Sequence, residues 1–208
     1  MPKLVDHQAR RCHIAAALLR VTEREGMEAV SVRTVAAEAG CSVGAVQRYF
    51  RSKDEMLHFA LRSVVESARR RMDGIRLGGP DGMTFAGALR AAILQSLPLD
   101  TTRLGEARVW AAFYAKAAVQ PDFAEVIAEL HREALGNLGR ALRYARSTGE
   151  LGPGQDPQAL ARLILVIIDG LMWAILMDPG LDVAAAASDA DAVPQLAALD
   201  AALGLIAP

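Results

Sequence analysis

The stretch SVRTVAAEAGCSVGAVQRYFRSKDEML, residues 31–57, decides the fold of this chain. Apolar residues in 32–39 recur at the i, i+3, i+4, i+7 spacing of an amphipathic helix, which Ser31 is placed to cap and Gly40 to end. Ser42 is placed to cap a second short helix. Two short helices joined by a tight turn that contains glycine predict a helix-turn-helix.

The second short helix carries small and polar side chains on the face away from Val46 and Phe50. A DNA major groove admits a helix whose leading residues are small and form hydrogen bonds with base edges. The pattern therefore predicts DNA binding, although generic helical corners with glycine share it. The predicted DNA-binding residues are Arg33, Thr34, Ser42, Val43, Gly44, Ala45, Gln47, Arg48, Tyr49 and Lys53.

These residues resemble the N-terminal domain of TetR-family repressors. The resemblance rests on residues 36–42 (AAEAGCS), Gly44, residues 49–50 (YF) and residues 52–57 (SKDEML), and it covers about the first quarter of the chain. Gln47 departs from the family pattern, which usually has a tyrosine there that contacts phosphate. Because glutamine pairs with an adenine edge, two roles for this residue stay open, a base contact and a phosphate contact.

Composition and charge fit a protein that touches DNA with one end. The 208 residues are 52% apolar, which suits one or two globular domains with a sizeable core. Residues 1–71 contain 13 Lys and Arg against 8 Asp and Glu, a net charge of +5. Residues 72–208 contain 10 against 16, a net charge of −6. A basic N-terminal part joined to an acidic remainder is typical of a DNA-binding protein with a second function.

Cysteine usage and hydropathy bear on localisation. Cys12 and Cys41 are too far apart for a metal-ligand motif and indicate a reducing compartment. The start MPKLVDHQARR has no apolar signal segment. The most apolar run, residues 163–177, contains Asp169 and is shorter than a membrane-spanning helix. We therefore expect a cytoplasmic protein without membrane association, metal or cofactor.

Periodicity along the rest of the chain predicts an all-α fold of about nine helices. A helix over 6–25 completes an N-terminal three-helix DNA-binding domain over 1–52, and the resemblance implies an effector-binding and dimerisation bundle over 53–208. Turn formers cluster in 77–82, and proline and glycine mark the other boundaries. The remaining helices are expected at 53–72, 83–97, 101–118, 122–147, 156–177 and 191–205.

Large apolar side chains in the second domain are candidates for a ligand pocket or for an ordinary core. Trp110 is expected to share a helix face with Phe113 and with Tyr114, and other large side chains can converge with them. The resemblance implies a small-molecule effector here, which the lining predicts to be largely apolar. The predicted effector-binding residues are Phe85, Leu89, Trp110, Phe113, Tyr114, Phe123, Asp169, Met172 and Trp173.

Asp169 interrupts an otherwise apolar helix. An ionised carboxylate in that position needs a partner or a shifted pKa. It pairs with an arginine, caps a neighbouring helix or faces a cationic effector, and these roles stay open. The run DGLMW, residues 169–173, resembles the C-terminal domain of the choline-responsive BetI branch. Relatives with other ligands share this run, so it does not imply choline.

The expected helices 156–177 and 191–205 are apolar on more than one face, which predicts burial in a core or against a partner. One short recognition helix makes few contacts, so a homodimer is expected. The leading hypothesis is a ligand-responsive repressor that binds a pseudo-palindromic operator in double-stranded DNA and is released by its effector.

Two alternatives belong to other classes of function. The first is an activator or a DNA-binding regulator without an effector. The second is a small α-helical enzyme, which the sequence disfavours because it contains no nucleophile elbow, phosphate loop or dinucleotide motif. The four histidines have no metal-ligand spacing, and His131 is expected on a solvated face.

Overall fold

The computed structural model describes residues 7–75, 83–152 and 154–204, and the expected turn at 77–82 lies outside them. The described residues form ten α-helices, two short 3-10 helices and no β-strand, so the predicted all-α fold is confirmed. In chain order the α-helices are α1 (His7–Glu25), α2 (Val32–Glu38), α3 (Val43–Tyr49), α4 (Lys53–Met72), α5 (Phe85–Leu94), α6 (Thr101–Ala117), α7 (Pro121–Ser147), α8 (Pro157–Leu176), α9 (Val183–Ser188) and α10 (Leu196–Gly204).

The prediction of one helix over 191–205 is wrong. Pro194 has no N–H to donate, and the chain instead forms a 3-10 turn at Ala190–Ala192 and begins α10 at Leu196. Helix α9 is not among the predicted helices. Its signal is Asp182, whose side chain accepts hydrogen bonds from two backbone N–H groups at the start of that helix.

The helix-turn-helix forms where the sequence predicts it. Ser31 and Thr34 make a capping box at the start of α2, in which each side chain accepts a hydrogen bond from the other residue's backbone N–H. Gly40 turns the chain with φ +61°, a left-handed conformation that glycine adopts without a Cβ penalty. Ser42 then caps α3 by accepting from the Ala45 N–H at 3.1 Å.

The N-terminal core holds α1, α2 and α3 against the first half of α4. Its centre consists of side chains with almost no exposed surface. Each of these buried aliphatic or aromatic side chains stabilises the fold by roughly 1.5–3 kcal/mol. This core also includes residues of α6 and α7, so the DNA-binding unit and the bundle share it. Its largest members are Ile14, Leu18, Val35, Val46, Phe50, Met56, Leu57, Leu61, Val109, Phe113, Phe123 and Ile127.

The second core lies among α5, α6, α7, α8 and α10. Its buried members include Phe85, Leu89, Leu142, Ile164, Leu171, Ile175 and Leu199. Helix α4 runs from the first core to the edge of the second. Its last buried side chain is Val64, so its second half is only partly covered. The division of the chain at residue 52 stays a prediction, since the first half of α4 packs with the N-terminal core.

One face of α8 is apolar and exposed to solvent among the residues that the structure describes. Leu163 is 47% exposed, Val166 67% and Met177 66%. Among the described residues, α8 alone has the length and composition of a membrane-crossing helix, a test that core helices of soluble proteins also pass. Its other face packs on α7 and on the second core.

Candidate functional site

The exposed side of α3 is the first candidate site. Val46 is fully buried and fixes the orientation of the helix. The opposite side is left exposed by the described residues, and we call it the reading face. Its exposed members are Ser42, Val43, Gly44, Gln47 and Arg48, while Ala45 and Tyr49 are half-buried at its edges.

Two of the predicted DNA-binding residues have structural roles that limit their reach. The Thr34 hydroxyl donates to the Ala29 carbonyl at 2.8 Å and accepts from the Ser31 N–H. The Lys53 ammonium donates to the Met27 carbonyl at 3.2 Å, which ties α4 to the turn before α2. These contacts brace the helix-turn-helix, so neither side chain is free in the way that Gln47 is.

Charges near the reading face fall into two groups. Arg33, Arg48 and Arg51 are exposed and form no side-chain ion pair with any part of the chain that the structure describes. Arg11, by contrast, stacks over the rings of Phe50 and Phe59 at 4.9 and 4.8 Å. The unpaired arginines are therefore the cations available to an external polyanion, whereas Arg11 is part of the packing.

The second candidate site is a cavity of about 440 Å³ between α4, α5, α6, α7 and α8. Its walls are mostly aliphatic, with the ring of Trp110 on α6. Six of the nine predicted effector-binding residues line it together. They are Phe85, Leu89, Trp110, Tyr114, Asp169 and Met172.

The other three predicted effector contacts do not line the cavity. Phe113 and Phe123 are fully buried in the N-terminal core, where their rings lie 5.0 and 4.3 Å from that of His58 on α4. The reason is helical phase, because Phe113 continues the row of Val109, which faces α1 and α4 rather than the bundle. Trp173 is half-buried behind Tyr114, with their ring centroids 6.1 Å apart.

A polar cluster of Tyr114, His131 and Asp169 lies on the cavity wall. The Tyr114 hydroxyl donates to Asp169 Oδ1 at 3.3 Å and lies 2.8 Å from His131 Nε2. Since a hydroxyl has one proton, we assign the second hydrogen bond to His131, with Nε2–H as donor. Asp169 thus finds its partner in a tyrosine and a nearby histidine, and not in an arginine.

Burial sets the ionisation of this cluster. Desolvation raises the pKa of the Asp169 carboxyl, and the nearby His131 and the Tyr114 hydrogen bond oppose that rise only in part. Desolvation, followed by the negative charge of Asp169, raises the pKa of Tyr114. The cluster therefore holds a neutral phenol beside a carboxylate that gains from any further hydrogen-bond donor.

Two ion pairs join the end of α4 to the cavity wall. Arg71 makes a bidentate contact with Glu106 on α6, at 3.0 and 2.6 Å, and also donates to the Gln95 carbonyl. The Glu106 side chain is only 7% exposed. Arg69 contacts Glu133 on α7 at 2.6 Å, and both side chains are nearly half exposed. Both arginines therefore hold the end of α4 against the helices of the cavity wall.

Helix α6 presents one face to the cavity and the opposite face to α1. Trp110 and Tyr114 face the cavity, whereas Arg108 donates to the carbonyls of Thr22 and Glu23 in the last turn of α1. At Gly105 the two helices are so close that a Cβ would lie 3.3 Å from the Cβ of Glu23. A shift of α6 at the cavity therefore meets α1 without an intervening gap.

Sequence reasoning missed several residues of the cavity. The expectation of a solvated His131 is wrong, because its imidazole is half-buried and bonded to Tyr114. Its signal was available: His131 follows Phe123 and Ile127 at intervals of four, which places it on the inner row of α7. Glu106 and Arg71 lie on different helices, and no local pattern predicts that they meet.

Comparison with known proteins gives two matches to family profiles. Residues 14–59 match the profile described as bacterial regulatory proteins, tetR family. Residues 85–199, more than half of the chain, match that of the BetI-type transcriptional repressor, C-terminal. The matches together cover the helix-turn-helix and most of the bundle.

Individual relatives agree with these matches. The chain is 32% identical to the HTH-type transcriptional regulator PksA of Bacillus subtilis over 86% of its length and 84% of that protein. It is 29% identical to the HTH-type transcriptional regulator BetI of Escherichia coli over 82% and 84%. A crystal structure of a transcriptional regulator from Rhodococcus sp. Rha1 superimposes with a TM-score of 0.73 at 35% identity, over 94% of this chain and 95% of that one.

Proposed function

The chain belongs to the TetR family of bacterial transcriptional regulators, and on that premise we propose that it is a homodimeric repressor released from its operator by a small molecule. DNA binding through the helix-turn-helix and a role in transcription regulation follow from the family, and catalysis does not. Release by an effector and dimer formation are the parts that we add. We also propose that the protein acts in the cytoplasm.

The contact between α6 and α1 carries this proposal. A ligand that enters the cavity touches Trp110 and Tyr114, and the other side of the same helix holds the end of α1 through Arg108. Helix α1 in turn packs on α2 and α4 in the N-terminal core. Close-packed elements move as units rather than deforming continuously. Occupancy of the cavity is thus expected to change the position of α3.

The uncovered face of α8 supports the homodimer. Leu163 and Val166 are exposed large apolar residues along one side of this helix, and Met177 directly after its end is exposed on the same side. The small residues Ala159, Gly170 and Ala174 are exposed as well. An apolar stripe of this kind is typical of an interface, since it is costly to leave in water. Two copies related by a twofold axis would bury it and present two α3 helices to successive major grooves.

The lining of the cavity suggests the chemistry of the effector. Most of the wall is apolar, so the ligand is expected to be largely apolar with one polar group directed at the polar cluster. Asp169 favours a hydrogen-bond donor or a cation there, because each stabilises its carboxylate form. Arg69 and Arg71 already have carboxylate partners, which leaves Asp169 as the charge without an ion pair to a lysine or arginine among the described lining residues.

Two binding assays test the proposal. The first is fluorescence-anisotropy titration with the DNA upstream of the protein's own gene and with sites selected from random duplexes, each at two salt concentrations. Sequence-selective binding that weakens with salt and saturates at one or two dimers per site supports operator binding. Equal affinity for selected and random DNA contradicts it. The second assay repeats the titration with compounds that raise the melting temperature, and release of the DNA is the expected result.

A further inference from the structure

We infer that Val43 and Gln47 read bases as a pair, with Val43 against the methyl group of a thymine and Gln47 on the edge of an adenine. The inference rests on the proposed operator binding and adds to it the bases that each half-site must contain. It concerns two residues of the reading face whose side chains are exposed and make no hydrogen bond or ion pair with the described residues.

The positions of the two residues make them a pair. They are four residues apart on α3, so they lie on the same side of the helix and about 6 Å apart along its axis. Stacked bases are about 3.4 Å apart along a strand. When α3 lies along the major groove, the two side chains therefore reach bases one to two steps apart.

Val43 is an apolar side chain that the chain leaves in water. It is 38% exposed, and it is not among the residues packed on the N-terminal core, although neighbours such as Val32 and Cys41 are. In the major groove the thymine methyl is the one apolar group on a base edge. Burial of Val43 on DNA therefore favours thymine over the other three bases.

Gln47 has an unused amide. Its side chain is exposed and makes no hydrogen bond within the described chain, whereas Thr34 and Lys53 nearby are bonded to backbone carbonyls. The amide has one acceptor and one donor group in a plane, which matches the N6–H donor and N7 acceptor of adenine. This arrangement favours the base contact over the phosphate contact among the two roles that the sequence left open.

Gly44 lets both side chains reach the bases. It lies beside Val43 on the exposed side of α3, and a Cβ built on it meets no atom within 4 Å. Without a side chain at that point, the helix backbone can approach the floor of the groove closely. A short residue such as valine then reaches a base edge.

Base analogues in the operator test the inference. After a site is selected from random duplexes, each thymine is replaced in turn by deoxyuridine, which lacks only the methyl group. At one thymine per half-site, this replacement is expected to weaken binding of the operator by the wild type about fourfold, which is the contribution of one buried methyl group. The Val43→Ala variant should show no loss at that thymine. The control is Val119→Ala, which changes a valine that is 79% exposed in the turn after α6. This variant should show the same loss of affinity as the wild type.

Gln47 is tested in the same way with 7-deazaadenine, which removes the N7 acceptor. At one adenine per half-site, this replacement is expected to weaken operator binding by the wild type about tenfold. The affinity of the Gln47→Ala variant should not change. The inference is overturned if no thymine methyl matters to the wild type, or if every analogue has the same effect on the variant and on the wild type. A selection that returns no preferred sequence contradicts operator binding itself, which is a different result.

Discussion

The reading face and the cavity differ in whether their arginines are paired with carboxylates. At the reading face, Arg33, Arg48 and Arg51 are exposed without ion pairs, and the core beneath them is closely packed. At the cavity, Arg69 and Arg71 have carboxylate partners, and they line a volume of about 440 Å³. Charge left unpaired is available to a polyanion outside the protein, whereas paired charge at the cavity holds helices together around a volume that a ligand can fill.

The largest expected effect concerns the paired charges of the cavity. Glu106→Gln leaves Arg71 without its carboxylate in a mostly buried position, and we expect the free energy of unfolding to fall by about 3 kcal/mol. The matched control is Glu133→Gln, which breaks the exposed pair with Arg69 and should cost less than about 1 kcal/mol. Urea unfolding followed by circular dichroism measures both. Equal losses would mean that burial does not distinguish the two pairs.

The unpaired charges of the reading face should affect DNA affinity and leave stability unchanged. Arg48→Ala is expected to weaken binding to selected and random duplexes by a similar factor and to reduce the salt slope by about one. Arg20→Ala is the control, because that arginine is on α1 and is already paired with Glu38. Anisotropy titrations over a range of salt concentrations give the slope. A loss confined to one sequence would instead make Arg48 a base reader.

The contact between the two ends can be altered at a single glycine. Gly105→Ala places a methyl group 3.3 Å from Glu23 Cβ and 3.5 Å from the Leu19 carbonyl oxygen, so α6 and α1 must separate slightly. We expect the free energy of unfolding to fall by about 1 kcal/mol. Gly136→Ala on α7 meets only the flexible end of Arg140 and should stabilise by up to about 1 kcal/mol. A loss of stability in Gly105→Ala together with a gain in Gly136→Ala would support close packing at the contact. Changes in the same direction in both variants would argue against it.

The smallest effect is expected at the polar cluster. Burial raises the pKa of Asp169, so the folded state disfavours its ionised form relative to the unfolded chain. This destabilisation is complete above the raised pKa and absent below the unfolded value of about 3.9. The stability of the wild type relative to Asp169→Asn should therefore decrease as the pH rises from about 4 into the range where the folded carboxyl ionises, by less than about 1 kcal/mol.

Urea unfolding of both proteins across that range measures the difference. The comparison is repeated in a His131→Gln background, since the imidazole Nε2 lies 3.7 Å from Asp169 Oδ2 in the same cluster. A relative stability that rises with pH would show that the carboxylate is stabilised by its partners more than it is penalised by burial.

Local signals in the sequence are sufficient to predict most of the helices and the position of the reading face. Ser31, Gly40 and Ser42 act through contacts a few residues away, and the structure has them in the predicted capping and turn positions. The cavity depends on contacts between helices that are far apart in sequence. Phe113 and Trp110 look alike by periodicity on α6, and only the direction from which α1 and α7 approach decides which of them faces the core.

The same limit explains the partners of charged residues. Asp169 was recognised as anomalous because it interrupts an apolar run, but its partners Tyr114 and His131 come from α6 and α7. Arg108 gave no signal at all, since its role is to bind carbonyls at the end of α1. Pairings of this kind require the arrangement of helices and cannot be predicted from one stretch of sequence.

The measurement that tests the account most directly is operator affinity with and without a ligand in the cavity. Suitable ligands are compounds that raise the melting temperature of the wild type but not that of Ala92→Trp, in which an indole occupies part of the cavity. Such a ligand is expected to weaken operator binding by the wild type at least about fivefold and to leave that of Ala92→Trp unchanged. An operator affinity that stays the same when the wild-type cavity is saturated would contradict the proposed link between the two ends of the molecule.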